Sequence, residues 1–179
     1  YASASGHFSV MPKTDTAKLL VEQAVSQLRA ASAALAALRN EMQSLAASLP
    51  EYPVVMGMFG VGPALGPQLM AEIGDVRRFH SKKALVAFAG IDAPPYQSGQ
   101  MEVRSRSISK RGSSALRRTL FLVMSTILRC SPADEPVYQF MSKKRAEGKP
   151  YRVYMMASAN KFLRIYYATV KQHMDSLEA

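Results

Sequence analysis

The stretch Thr14–Pro50, TDTAKLLVEQAVSQLRAASAALAALRNEMQSLAASLP, holds no glycine and no proline before its last residue. Its apolar residues Ala17, Val21, Ala24, Leu28, Ala31, Leu35, Leu38, Met42, Leu45 and Leu49 are separated by alternating steps of four and three. That is the heptad repeat of a coiled coil. A stripe this narrow suits a seam between two helices better than the broad apolar face of a helix packed on its own domain. Thr14 and Asp15 are good N-cap residues, and Pro50 and Pro53 end the run and form a hinge. Alanines in the seam let helices approach closely but bury little area, so the coil alone is weak. The spacing predicts a helix over 14–50 that pairs with a second copy of itself or with an antiparallel partner helix.

On either side of this helix the character changes. Residues 1–13 are small and polar and read as a flexible leader, either a scar of cloning or the end of a preceding segment. Their layout is not that of a signal peptide. Residues 51–179 read as a helical domain. Across 54–74 a short apolar segment runs into Gly60-Val61-Gly62-Pro63 and then into a second apolar helix ended by Gly74, the pattern of a helix-hairpin-helix. Glycines at 60 and 62 would let a phosphate approach the turn, and amides at the next helix start favour an anion. A tight structural turn explains the same residues equally well. Pro63 suits a first helical position, and Pro67 removes an amide early in that helix. Ser81 caps a short helix, Lys82 to Ala89, which Gly90 ends.

The segment 90–100, with two prolines and two glycines, is an exposed loop, and alternation around Val103 suggests a short strand or extended hairpin. Ser113 or Ser114 caps a strong helix from about Ala115 to Arg129. After Cys130 the chain reads helix, turn, helix, the last from about Val153 to His173. Its tyrosines at 151, 154, 166 and 167 lie among Arg152, Lys161, Arg164 and Lys171. Such a mix can stack bases beside phosphate contacts, but the helical spacing favours core positions for the tyrosines. The fold class is therefore mainly α. A long N-terminal coiled-coil helix precedes a helical domain with a helix-hairpin-helix and a short extended loop or hairpin.

Composition narrows the function. The 179 residues carry 23 Lys and Arg against 13 Asp and Glu, a net charge of +10. Residues 1–74 have four basic and five acidic side chains, whereas residues 75–118 have ten basic and three acidic. Basic residues clustered this way suit a polyanion, since Lys and Arg displace the counterions of a nucleic acid. A solvated basic face is the plainer alternative. No apolar run is long enough for a transmembrane helix. The single cysteine, Cys130, and three scattered histidines give neither an intrachain disulfide nor a metal cluster. These features point to a reducing, cytoplasmic setting.

Gly60-Val61-Gly62-Pro63, Ala71-Glu72-Ile73-Gly74-Asp75, Phe79, residues 85–90, Gln97-Ser98-Gly99, Ile108-Ser109-Lys110-Arg111-Gly112 and Leu116-Arg117-Arg118 follow one another in order. The series resembles the C-terminal domain of the insertion sequence 110 family of transposases, which includes Piv-type DNA invertases. It covers about Val54 to His173. Gly148-Lys149-Pro150 and Ala157 to Leu163 continue it, and the preceding coil fits the family's layout.

The resemblance implies a serine, here Ser98, as nucleophile toward a DNA phosphate. It also implies a composite site with a DEDD nuclease-like domain that holds Mg2+, and a structured guide RNA in bridge-RNA-guided members. This chain lacks that acidic set, so it is expected to be a fragment that binds nucleic acid without recombining it. Arg104, Arg106, Lys110, Arg111, Arg117 and Arg118 are the expected phosphate or RNA contacts, with backbone contacts at Gly60 and Gly62. Tyr96 is a second candidate hydroxyl. A non-catalytic helix-hairpin-helix module that binds nucleic acid and dimerises through its coil is the competing reading.

Overall fold

A computed structural model describes residues 14–93, 97–98, 101–102 and 107–178. The chain divides into two units, Tyr1–Glu41 and Met42–Ala179. The described part of the first unit is helical and belongs to α1, Asp15–Ala47. Thr14 starts that helix, its hydroxyl accepting from the Ala17 amide at 3.2 Å. The apolar stripe of α1 stays uncovered: Leu28 and Leu38 are 67% and 64% exposed, and Leu35 is about half exposed. The expected leader, residues 1–13, lies outside the described residues.

The second unit holds the core. It contains α2 (Tyr52–Met56), α3 (Leu65–Ile73), a 3-10 turn (Val76–Arg78), α4 (Lys82–Ala89), α5 (Ser114–Cys130), α6 (Pro136–Ala146) and α7 (Tyr151–Leu177). A minimal antiparallel pair, β1 (Gln97–Ser98) with β2 (Met101–Glu102), lies between α4 and α5. The mainly α reading holds, with the long N-terminal helix in place.

Local chemistry explains most boundaries. Ser81 Oγ accepts from the Ala84 amide at 3.2 Å and starts α4, and Gly90 ends it in the left-handed conformation. Ser113 starts α5, accepting from the Leu116 amide at 3.1 Å. Helix α3 begins at Leu65 rather than at Pro63. The Gly66 amide makes a helical bond to the Gly62 carbonyl at 2.8 Å, but Pro67 has no amide to give to the Pro63 carbonyl, and the ladder is interrupted there. The proline ring is buried.

Helix α7 is the long core element. Met155, Ala159, Phe162, Leu163, Tyr166 and Val170 recur at helical spacing and are buried. It packs on α4, α5 and α6, while α3 packs on α5. Tyr154, Tyr166 and Tyr167 are core residues as the spacing suggests, and Tyr151 is exposed. The Tyr167 hydroxyl donates to the Phe79 carbonyl at 3.0 Å, tying α7 to the turn before α4.

Candidate nucleic-acid interface around the Ser98 loop

The loop bearing Ser98 connects α4 to α5, and its two roots are tied together. The Ser109 amide donates to the Asp92 carbonyl at 2.8 Å, and the Ser109 hydroxyl donates to Asp92 Oδ1 at 2.5 Å. The Lys110 amide reaches the Gly90 carbonyl at 3.0 Å, and the Ser113 amide reaches the Phe88 carbonyl at 2.7 Å. Arg117 completes the tie. Its Nη1 donates to the Ala89 and Gly112 carbonyls, each at 3.0 Å. A guanidinium at the C-terminal carbonyls of α4 also meets the negative end of that helix. Helices α3 and α5 are joined nearby, where the Ser113 hydroxyl donates to Glu72 Oε2 at 3.2 Å.

Beyond these roots the backbone of Ser98 pairs with Met101, and Gln97 with Glu102. That register leaves Gly99 and Gln100 between the strands. Arg104, Arg106 and Tyr96 lie outside the described residues, and the Ser98 side chain is likewise not described.

The remaining expected contacts separate into two groups. Lys110, Arg111 and Arg118 are exposed. Lys110 adopts a positive φ of 56°, a conformation uncommon outside glycine, at the point where the chain re-enters the fold. Arg117 is half-buried and occupied by backbone carbonyls. Two more cations of the basic segment also serve structure. Arg78 lies over the rings of Phe79 and Phe88, at 4.5 and 4.7 Å, and donates from Nε to the Ile73 carbonyl at 2.9 Å. Arg77 grips Asp75, with Nη2 at 2.9 Å from Oδ2, and also contacts Glu178. This pairing lowers the Asp75 carboxyl below the usual carboxylate range, chiefly through the side-chain hydrogen bond and then through the Arg77 amide. It raises the Arg77 guanidinium.

The two turn glycines also separate. Gly60 has φ 81°, and a Cβ there would stand 2.7 Å from Ile127 Cγ1 of α5. Its close approach is to the protein's own core. A Cβ on Gly62 would meet nothing within 4 Å. Gly62 is the glycine whose surroundings leave room for an external group.

A groove of about 890 Å³ opens beside the loop roots. Ile91, Ala93, Ser107, Ile108 and Lys110 line its loop side, Phe121 and Phe140 come from α5 and α6, and the first half of α7 supplies the rest. The α7 contributors include Arg152, Val153, Met156, Asn160, Lys161 and Arg164. Their spacing, one helical turn apart, is visible in the sequence. The sequence reading attached the neighbouring tyrosines to these cations, and folding instead brings up two phenylalanines from other helices. Among the described residues no group of three or more His, Cys, Asp or Glu side chains could hold a metal ion, and no helix is long and apolar enough to cross a membrane.

The chain is 30% identical over 135 residues to a pilin gene-inverting protein of Moraxella bovis, covering 75% of this chain and 38% of that protein. It is 24% identical over 153 residues to a probable family 20 transposase of Pseudomonas aeruginosa, covering 86% and 45%. It is 32% identical over 90 residues to the transposase for insertion sequence element IS1111A of Coxiella burnetii, covering 50% and 24%. The chain thus spans less than half the length of these relatives. The model of the transposase IS116/IS110/IS902 family matches residues 52–139, the segment that holds the glycine turn between α2 and α3, the tied loop roots and all of α5. Over residues 52–139 this chain is similar to the transposases of the IS116/IS110/IS902 family.

Proposed function

We propose that this domain is the serine-bearing half of a DNA recombinase, with Ser98 as nucleophile. The observation that carries the reading is the tied loop. Hydrogen bonds tie together the two roots of the loop that carries Ser98, and the exposed cations Lys110 and Arg111 stand at one of those roots, with Arg118 in the helix that follows. In the reaction the serine oxygen attacks a backbone phosphorus. A serine–phosphate ester forms, the P–O bond to one deoxyribose breaks, and that sugar oxygen leaves with a proton. The serine proton passes to a base. Cations close to the phosphoryl group offset the charge that builds on its oxygens.

The acids of this chain do not fit the divalent metal that the resemblance implies, because the described ones form no group able to hold it. The metal therefore belongs to a separate acidic, nuclease-like domain, and this chain alone binds nucleic acid without recombining it. The same reading gives the basic surface a structured guide RNA as well as DNA, and gives α1 a second copy of the chain as its partner. A non-catalytic helix-hairpin-helix binding module is favoured only by the open surroundings of Gly62.

The test is Ser98→Ala in a recombinase that joins this domain to an acidic nuclease-like domain. Trapped protein–DNA adduct should vanish while DNA binding persists. Unchanged recombination would sink the nucleophile assignment, and strand transfer by the present chain alone with Mg2+ would sink the two-domain reading.

A further inference from the structure

We infer that the groove beside the loop roots is a docking site for one unpaired nucleotide of a DNA strand. It rests on the reading that this domain binds DNA and is independent of the serine chemistry. Four cations, Lys110, Arg152, Lys161 and Arg164, stand around the groove, and among the described residues no carboxylate lines it. Its floor is apolar, with Phe121, Val153 and Met156 prominent. A ligand matched to both must be anionic at its edge and flat and apolar in its body. A nucleotide has that form: phosphates at the rim, base on the floor.

Two of the cations are held in place. Lys161 Nζ donates to the Pro136 carbonyl at 2.8 Å and lies 5.1 Å from the Phe140 ring centre. Arg164 Nε donates to Asn160 Oδ1 at 2.7 Å. A volume of about 890 Å³ falls within the roughly 300–1,000 Å³ of small-ligand sites, so a whole base with its sugar fits.

Two features narrow the ligand further. A base inside a duplex has its faces covered by its neighbours, so only an unstacked base can lay a face on this floor. The neutral polar groups of the lining are Ser107 and Asn160, and the Asn160 oxygen is engaged by Arg164. An apolar floor suits the bare C2′ of deoxyribose better than a ribose hydroxyl, which needs a partner. Ile91, Ile108 and Lys110 belong both to the groove and to the roots of the Ser98 loop. The groove therefore takes a nucleotide at the roots of the loop that carries Ser98.

Photocrosslinking tests this with the 179-residue chain and a short iodouracil-substituted oligonucleotide, offered as single-stranded DNA, as duplex DNA and as RNA of the same sequence. Single-stranded DNA should crosslink to peptides containing Phe121 or Met156, more strongly than duplex or RNA. Val153→Asp places a carboxylate in the first turn of α7, where the helix dipole tolerates it. It should weaken single-strand binding by about tenfold with the helical circular dichroism unchanged. Arg164→Glu, on an exposed position, should act in the same direction. Crosslinks confined to other peptides, equal crosslinking of duplex, a preference for RNA, or unchanged affinity in both variants would each overturn the proposal. A Ser98→Ala chain should crosslink as the parent does, so failure of the nucleophile assignment leaves this result standing.

Discussion

Gly112 and Phe88 stand so close that a Cβ on the glycine would lie 1.9 Å from the phenylalanine carbonyl oxygen. Backbone meets backbone there, with no flexible side chain to yield. The contact sits between the hydrogen bonds that tie the two roots of the Ser98 loop. Gly112→Ala should therefore pry the roots apart. The expected loss is about 3 kcal/mol or more, read as a thermal midpoint lowered by roughly 6–12 °C. An unchanged midpoint would show that the close approach is not maintained in solution.

The two glycines of the hairpin turn should respond in opposite ways. Gly60→Ala combines a left-handed backbone with a collision against Ile127, and should cost about 2–3 kcal/mol. Gly62→Ala meets no neighbour and should leave stability within about 0.5 kcal/mol. If the turn presents its backbone to a phosphate, Gly62→Ala should weaken duplex DNA binding while the melting curve stays in place. Equal behaviour of the two variants in both assays would remove the distinction.

Asp75 should leave a mark on the acid limb of stability. Arg77 holds its folded pKa below the unfolded value. The stabilisation is therefore complete above the unfolded value of about 3.9 and fades as the pH falls through the lower folded value. Asp75→Asn keeps an oxygen for the Arg77 amide and removes the charge. The difference in thermal midpoint between parent and variant should be constant from neutral pH to about 5 and shrink below about 4. A difference that does not narrow under acid would refute the electrostatic origin.

The exposed seam of α1 should drive self-association. Leu28→Lys with Leu35→Lys puts two charges on the heptad stripe without disturbing the second unit's core. Sedimentation should show a concentration-dependent larger species for the parent chain and its loss in the double variant. A parent chain that stays monomeric at high concentration would leave the seam to a different partner.

What could be read beforehand follows from how local each cause is. The limits of α4 were legible because Ser81 and Gly90 act within a turn of themselves. The long α1 was legible because its period repeats along one element. A glycine turn between α2 and α3 was legible, but the division of labour between Gly60 and Gly62 depends on Ile127, far along the chain. The basic segment was legible as charge, yet Arg77, Arg78 and Arg117 turn out to face Asp75, aromatic rings and backbone carbonyls. Pairwise contacts of that kind leave no periodic trace. The groove draws on three helices and two loop roots, and only the cations of α7 carried a spacing that pointed to it.

The ties between Asp92 and Ser109, and between Gly90 and Lys110, have an evolutionary consequence. They fix the ends of the Ser98 loop whatever lies between them. With the ends already closed by the fold, doubling the intervening length adds only ~0.6 kcal/mol of closure entropy. The segment can thus be lengthened, shortened or replaced while the helices remain in register. A frame of this kind lets the reach of the loop vary without having to redesign the body that carries it.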